Sequence, residues 1–524
     1  MGKKALNRRD FIKLSAIASA SLPITLSGFP LVAEEKPSQF NFDSDNDNVL
    51  VLIQLQGGND GLNTIFNLNQ YDNLQNVRSN IIIQQNQLLG VNGDTAFHPN
   101  LGGLQSVWQQ EKLTIVQNVG YPNQNRSHFR STDIWNTASD ANEFISTGWL
   151  GRYFSLQHGE FPTNYPNDTN PDPFAITIGK IVTETCQGTS ANFSMALTDP
   201  DNPGTAAVFN AGDLPNNCYG DALSFVNETV KQTNAYASVI KEASGKGNSL
   251  SSKYTDSELS QKLKNVARLI SGGLGTKVYV VQLGGFDTHD SQVIEGENAD
   301  GQHAELLKEL SDAVVAFQDD LDLLGISDRV IGMTYSEFGR RIRSNAALGT
   351  DHGNAAPMFV FGNCVNNQIL GDTPVIDTHV DDYEGVAMQF DFRDIYKTII
   401  TDWLGGSQSD ANSVLFQQFD GISLFDANCS ASLSNNNFEN EDFGLNVYPN
   451  PASNMITINF VGFDGNVKIT IFNSIGAVVK SVTNKSYDSN NHSLQVDISN
   501  FARGNYFVHY QTRGISKTKK LIKY

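Results

Sequence analysis

Two periodicities alternate along the chain between Asn46 and Gly406. Short, nearly continuous apolar runs recur at Val49–Gln56, Leu113–Val119, Phe174–Ile178, Lys277–Leu283, Val330–Tyr335 and Pro357–Gly362, as expected of strands buried on both faces. Between them, apolar residues three and four apart predict helices over Leu101–Lys112, Ser257–Ile270, Gln302–Leu324 and Phe392–Leu404, with Gly272, Gly325 and Gly405 placed as C-caps. Alternation of this kind predicts an α/β fold with a mainly parallel sheet covered by helices on both faces. Residues 183–255 follow neither period and read as an irregular insertion.

From Cys429 to Asp442 the run CSASLSNNNFENED is polar and aperiodic, a linker. After it, short alternating runs separated by Gly, Asn and Asp turns predict a small β-sandwich over 443–524. The organisation expected is therefore a leader over 1–33, an α/β domain over 46–428, a linker over 429–442 and the sandwich.

Charge sharpens that division. The chain of 524 residues has net charge -20, but residues 34–442 carry 22 basic against 52 acidic side chains, whereas 443–524 carry 9 against 3. A body so acidic repels phosphate backbones, which excludes nucleic acid as a partner. The N-terminal apolar run is interrupted by Pro23, Gly28 and Pro30 and makes no good membrane span. Four scattered cysteines, Cys186, Cys218, Cys364 and Cys429, form no CxxC pair, so they build no zinc knuckle. Cys186 and Cys218 either close one loop as a disulfide or stay free.

The polar segments of interest fall after the predicted strands. Strand one runs into QLQGGNDGLN, strand two into NVGYPNQNRSHFRSTDIW, later strands into QLGGFDTHDSQ and TYSEFGRRIRSN, and TDHGN precedes the last. In an open α/β sheet the ligand crevice lies beyond the carboxyl ends of the strands, so these segments are expected to converge. Asp60, Asp287 with His289, and Asp351 with His352 supply carboxylate and imidazole donors suited to zinc, manganese or related cations. Each is also open to a turn or cap role. For Asp351 and His352, the freedom of Gly353 is expected to let adjacent residues reach one ion. Two ions together can clamp the attacking and leaving oxygens at phosphorus or sulfur.

Several motifs carry resemblances. Arg8 and Arg9 followed by Asp10, Phe11, Ile12 and Lys13 resemble a twin-arginine export signal, with a candidate cut after Ala33. The YPNP opening at Tyr448 to Pro451, Gly476 to Val479, the Gly504 and Tyr506 pair and the basic ending Lys517 to Lys523 resemble the C-terminal sorting domain of type IX secretion substrates. That implies both export machineries as partners, passage through the periplasm and release or attachment at the cell surface. The order of Asp, Ser-containing turn, DTH and late DHG is similar to the alkaline phosphatase and sulfatase superfamily. RRDFIK, LQGGNDGLN, NRSHFRSTDIW, GGFDTHD, SEFGRR and GTDHGNAAPMFVFG together resemble the DUF1501 family within it.

The resemblance implies an alkaline phosphatase-like fold and two divalent ions, one on Asp60, Asp351 and His352 and the other on Asp287 and His289. His379 is the candidate third ligand of the second ion, or a surface histidine. Ser127 is either the nucleophile at a helix start or that helix's N-cap. His128 either ligates, acts as acid or base, or makes a structural hydrogen bond. Arg130, Arg340 and Arg341 are candidates to hold an anionic substrate, and Glu337 either ligates or pairs with one of these arginines. No CxPxR-type sulfatase motif occurs. The function implied is a secreted metal-dependent hydrolase of a phosphate or sulfate ester, on a small molecule or glycan. The alternatives are a non-catalytic binding protein on a degenerate fold and a structural surface component.

Overall fold

The structure is a computed structural model and describes residues 46–204, 218–426, 445–461, 465–473, 478–488, 490–512 and 515–524. The expected leader over 1–33 and linker over 429–442 lie outside the described residues. The chain divides into two compact units, Met1–Leu433 and Ser434–Tyr524.

The first unit is built on a nine-stranded sheet. Its central strand β1 (Val49–Leu55) is buried at every position. Full burial of a Val, Leu or Ile side chain contributes about 1.5–3 kcal/mol, so this strand anchors the sheet. A separate small sheet holds β2 (Ile65–Asn67), β3 (Leu89–Gly90) and β4 (Thr95–Phe97). The large sheet continues with β5 (Leu113–Gly120), β6 (Ala175–Ile178), β7 (Ser194–Leu197), β8 (Val278–Leu283), β9 (Val330–Tyr335), β10 (Ala356–Phe361), β11 (Gln368–Leu370) and β12 (Phe390–Asp391). The spatial order is β11-β5-β10-β9-β1-β8-β6-β7, with β12 beside β5. Every pairing is parallel except those of β10, which runs antiparallel to β9 and β5. The start of β10 therefore lies at the same edge as the ends of its neighbours.

The helices are α1 (Tyr71–Val77), α2 (Gly102–Gln109), α3 (His128–Thr137), α4 (Trp149–Gln157), α5 (Cys218–Lys246), α6 (Glu258–Ser271), α7 (Gln302–Leu324), α8 (Phe392–Thr398) and α9 (Gln408–Leu415). Alternate side chains of β1 divide between two cores. Val49, Val51, Ile53 and Leu55 pack with α2, α5, α6 and α7, whereas Leu50 and Leu52 pack with Trp135, Trp149 and Tyr396 of α3, α4 and α8. Helices thus cover both faces. After α8 the chain continues as a π-helix over Ile399–Trp403. None of the described helices is long and apolar enough to cross a membrane.

One sequence expectation of the fold needs correction. Within the region read as irregular, Cys218–Lys246 forms a 29-residue helix. Its buried positions include Gln232, Thr233, Ala237 and Ala243 beside Val230, Tyr236 and Ile240, so small and polar residues blur the apolar stripe. Gly272 caps α6 as expected, in a right-handed conformation, and the left-handed residue that follows is Gly273, φ +88°. Of the two alternatives open for Cys186 the structure has the free, buried thiol, whereas Cys364 is disulfide-bonded.

The second unit has two antiparallel sheets, β13 (Asn446–Tyr448), β14 (Met455–Val461) and β17 (Asn491–Asp497) in one, and β15 (Gly465–Asn473), β16 (Val478–Tyr487), β18 (Gly504–Thr512) and β19 (Ile515–Lys523) in the other. Ile456, Ile458, Phe460, Ile469, Ile471 and Val508 form its own core.

Candidate functional site

Loops at the carboxyl edge of the large sheet carry the site. After β1 the chain turns at Gly57, where φ is +121° and an added Cβ would lie 2.2 Å from the Asp287 nitrogen. A side chain there would drive the β1 and β8 loops apart. Gly353 is required for a different reason than freedom of conformation: its Cβ would stand 2.2 Å from the Arg340 carbonyl carbon. The two arms of the loop between β9 and β10 meet there in an isolated bridge that sets Arg340 opposite His352.

Arg340 is buried and stitches these loops together. Its Nε donates to Gly58 O at 2.8 Å, Nη1 to Thr350 O at 2.8 Å, and Nη2 to Phe286 O at 2.9 Å and Asp287 Oδ1 at 2.7 Å. It also bonds the Gly57 carbonyl. Burial pushes the Asp287 carboxyl up, but the hydrogen bonds from Arg340 and His352 and the Arg340 charge more than offset this, holding its pKa at about 2. Asp287 is therefore a carboxylate at any working pH.

Three imidazoles surround it. His289 Nε2 lies 3.2 Å and His352 Nε2 3.1 Å from Asp287 Oδ1, and the two nitrogens are 2.9 Å apart. His128 Nε2 is 3.4 Å from Asp287 Oδ2. Each ring has its Nδ1 against an acceptor: Asp351 Oδ1 at 3.0 Å for His289, the Arg126 carbonyl at 2.8 Å for His352 and Glu337 Oε1 at 2.9 Å for His128. Carboxylates and carbonyls only accept, so Nδ1 carries a proton in all three rings, and each Nε2 is turned toward Asp287.

The donor set fits a divalent cation. Ligands about 2.0–2.1 Å from a tetrahedral ion stand about 3.3 Å from one another. The spacings of Asp287 Oδ1, His289 Nε2 and His352 Nε2 lie close to that, and ligating histidines ordinarily donate their other nitrogen to a carboxylate or carbonyl. Donor atoms of His128, Asp287 and His352 also fall within 4.8 Å of one another.

Protonation differs among the rings. The Glu337 hydrogen bond, outweighing burial, raises the His128 pKa, whereas burial lowers that of His352 despite its bond to Asp287. Glu337 is buried, and its Oε1 also accepts from the Gly57 N–H at 2.7 Å.

The site differs in membership from the two-ion arrangement expected. Asp60 is fully buried and committed elsewhere. Arg78 Nη1 donates to its two oxygens at 3.0 and 2.7 Å and Gln292 Nε2 donates at 2.7 Å. Burial pushes its carboxyl up, but Arg78 brings it below the ordinary value. Asp351 supports from outside, accepting from Arg341 Nη1 at 3.0 Å as well as from His289. Its pKa is lowered, burial being outweighed by His289, Asn345 and Arg341. His379 is exposed and joins no cluster among the described residues. Arg130 turns to its own loop, bonding Asp133 and the Asp140 carbonyl and covering the Phe144 ring at 4.0 Å. Glu337 pairs with His128 rather than an arginine. Ser127 is the N-cap residue of α3, but its exposed hydroxyl makes no capping bond.

Four residues that the sequence analysis passed over matter. Arg78 and Gln292 hold Asp60, and Gln292 Oε1 accepts from Thr288 and Thr350 beside the site loops at 3.1 and 2.7 Å. Arg126 gives its carbonyl to His352, and Asn354 Oδ1 accepts from the Arg126 guanidinium at 3.0 and 2.8 Å. Arg126 and Asn354 lie in motifs already noted, two residues from a site histidine; nothing in sequence marks Arg78 or Gln292.

Comparison with known proteins adds two family matches. Residues 86–403 match the family described as "Protein of unknown function (DUF1501)", and residues 446–524 match the secretion system C-terminal sorting domain. No curated protein matches. Among solved structures, a sulfatase from Pseudoalteromonas sp. is 11% identical with a TM-score of 0.31, over 88% of this chain and 83% of that one. A protein in the alkaline phosphatase superfamily from Vibrio parahaemolyticus is 10% identical with a TM-score of 0.28, over 71% and 72%. A phosphonate monoester hydrolase from Silicibacter pomeroyi is 9% identical with a TM-score of 0.28, over 91% and 88%. At these values the likeness is distant.

Proposed function

The chain belongs to the DUF1501 family, and for this member we propose a secreted metal-dependent hydrolase of phosphate or sulfate esters, with one ion held by Asp287, His289 and His352. The carrying observation is that two imidazoles, each tied at Nδ1 to an acceptor, aim Nε2 at one ionised carboxylate oxygen. The two Nε2 atoms face each other at 2.9 Å, a spacing that needs a shared proton or a cation between them. A set of two imidazoles and one carboxylate takes zinc or manganese and equally Fe(II), with further positions open. A cation there supplies Lewis acidity toward an ester oxygen.

The chain's own residues supply the rest. Glu337 orients His128 and stabilises its charged form, so His128 Nε2 gives its proton to the departing alkoxide oxygen. Ser127, adjacent to it, has a hydroxyl free of capping at the positive end of α3 and serves as nucleophile. Its Oγ bonds the phosphorus or sulfur and releases its proton to solvent as the bond to the alcohol oxygen breaks; water then attacks the same centre, its hydroxide leaving with the phosphate or sulfate and its other proton restoring the Ser127 hydroxyl, while His128 is reprotonated from solvent. Export toward the cell surface follows from the sorting domain, with the twin-arginine route over Arg8 and Arg9 as the expected first step and type IX secretion as the second. A small-molecule or glycan-borne ester is the substrate class retained.

Elemental analysis of protein prepared without chelators tests this. We expect about one ion per chain, loss of that ion in Asp287→Asn and His352→Ala, and hydrolysis of aryl phosphates or sulfates that disappears with it. Ser127→Ala should keep the ion and lose turnover. Metal-free wild-type protein that cannot be loaded would leave a binding role in place of the enzyme.

A further inference from the structure

Arginines and carboxylates at the edge of the sheet pair almost one to one. Arg78 meets Asp60 at 2.7 Å, Arg340 meets Asp287 at 2.7 Å and Arg341 meets Asp351 at 3.0 Å. Arg126 breaks the pattern. Among the described residues no carboxylate pairs with it, and its protein acceptor is the neutral amide oxygen of Asn354, which takes one bond from Nε and one from Nη2. A guanidinium has five N–H donors, so about three are left for another acceptor. The residue is only half-buried, and its own carbonyl holds His352 at 2.8 Å. Arg126 stands two residues before His128, and Asn354 two after His352.

A cation without its counter-charge, on the residue whose carbonyl holds a cluster histidine, favours an incoming anion. The planar fork fits two oxygens of a tetrahedral oxyanion better than a point charge would. We propose that Arg126 binds the anionic group of the substrate, a phosphate or sulfate, and that Asn354 positions its fork. Arg130, Arg340 and Arg341, the candidates by sequence, are each committed to protein acceptors. This inference rests on the reading of the site as an ester hydrolase, but it concerns anion binding and is measured without turnover.

Inorganic phosphate and, separately, sulfate are titrated calorimetrically into the metal-loaded full chain and its variants. The wild type should bind at least one of the two, and the stronger ligand names the ester class. Arg126→Met should weaken that anion on the order of thirtyfold while its metal content stays equal to wild type, because the His352 contact uses backbone. Arg126→Lys should fall between the two, and Asn354→Ala should weaken the anion a few fold. Undiminished anion affinity in metal-replete Arg126→Met overturns the proposal, as does a metal-loaded wild type that binds neither anion. If Arg126→Met fails to fold, equal affinity in both Arg126→Lys and Asn354→Ala overturns it. Arg126-dependent phosphate binding in protein without metal would uphold the anion site while the hydrolase reading fell.

Discussion

Glu337 shows how much one carboxylate decides here. It is buried, accepts from the Gly57 N–H and holds His128 by Nδ1, so it both orients the ring and favours its protonated form. Replacing it by Gln keeps the shape and removes the charge. In Glu337→Gln the His128 pKa should fall, and the alkaline limb of the pH–rate profile should move to lower pH, with turnover lower by about 10²-fold or more. Metal content should change little. An alkaline limb that stays in place would show that another group sets it. Among single residues, Asp287 and His289 stood out in the turn after a strand and His352 before one, but their sharing of a single centre was not legible. Asp60 was legible as a strand-end carboxylate but not as the partner of Arg78, since that contact joins the β1 loop to the residue capping α1.

At the scale of elements, the loops after β1, β5 and β8 and the loop from β9 to β10 build the site, and close backbone approaches hold them. Gly57 combines a left-handed φ with a nitrogen 2.2 Å from where a Cβ would go. Gly57→Ala should destabilise the first unit by a few kcal/mol and lower its metal affinity together, read as a drop in melting temperature and in bound metal. A variant with normal melting and normal metal content would mean that the β8 loop is not held by this contact. Strand and helix positions were legible because apolar period reports burial directly. The helix Cys218–Lys246 was not, because its buried face uses Thr, Gln and Ala, which carry no such contrast.

For the whole molecule, acid sensitivity follows from two buried imidazoles. Burial pushes His98 down to about 3 and His303 down to about 4, from an ordinary 6.5. His98 Nδ1 accepts the Asn100 N–H at 3.0 Å, a bond its protonated form cannot make. Unfolded, both rings take up protons below about pH 6.5, whereas the folded chain refuses them until about pH 4. Their contribution is therefore complete above 6.5 and lost as pH falls through that window. The extra slope approaches roughly 2.7 kcal/mol per pH unit for the two groups together. Urea unfolding at pH 7.5, 5.5 and 4.5 should show it, and a His98→Asn, His303→Gln double variant should lose stability less steeply. An unchanged slope in that variant would assign the acid sensitivity to other groups.

What the amino-acid order determined alone is whatever depends on neighbours along the chain. That covers the apolar strands, most helices, the alternating C-terminal strands and the motifs at strand ends. Which donors share one centre was decided by tertiary structure. Antiparallel β10 brings Asp351 and His352 to the edge where the parallel strands end. Burial then sorts the charges, because a carboxylate removed from water takes the nearest guanidinium. Asp60 was lost to Arg78 that way, Arg130 turned to its own loop, and Arg126 was left, among the described residues, without a carboxylate.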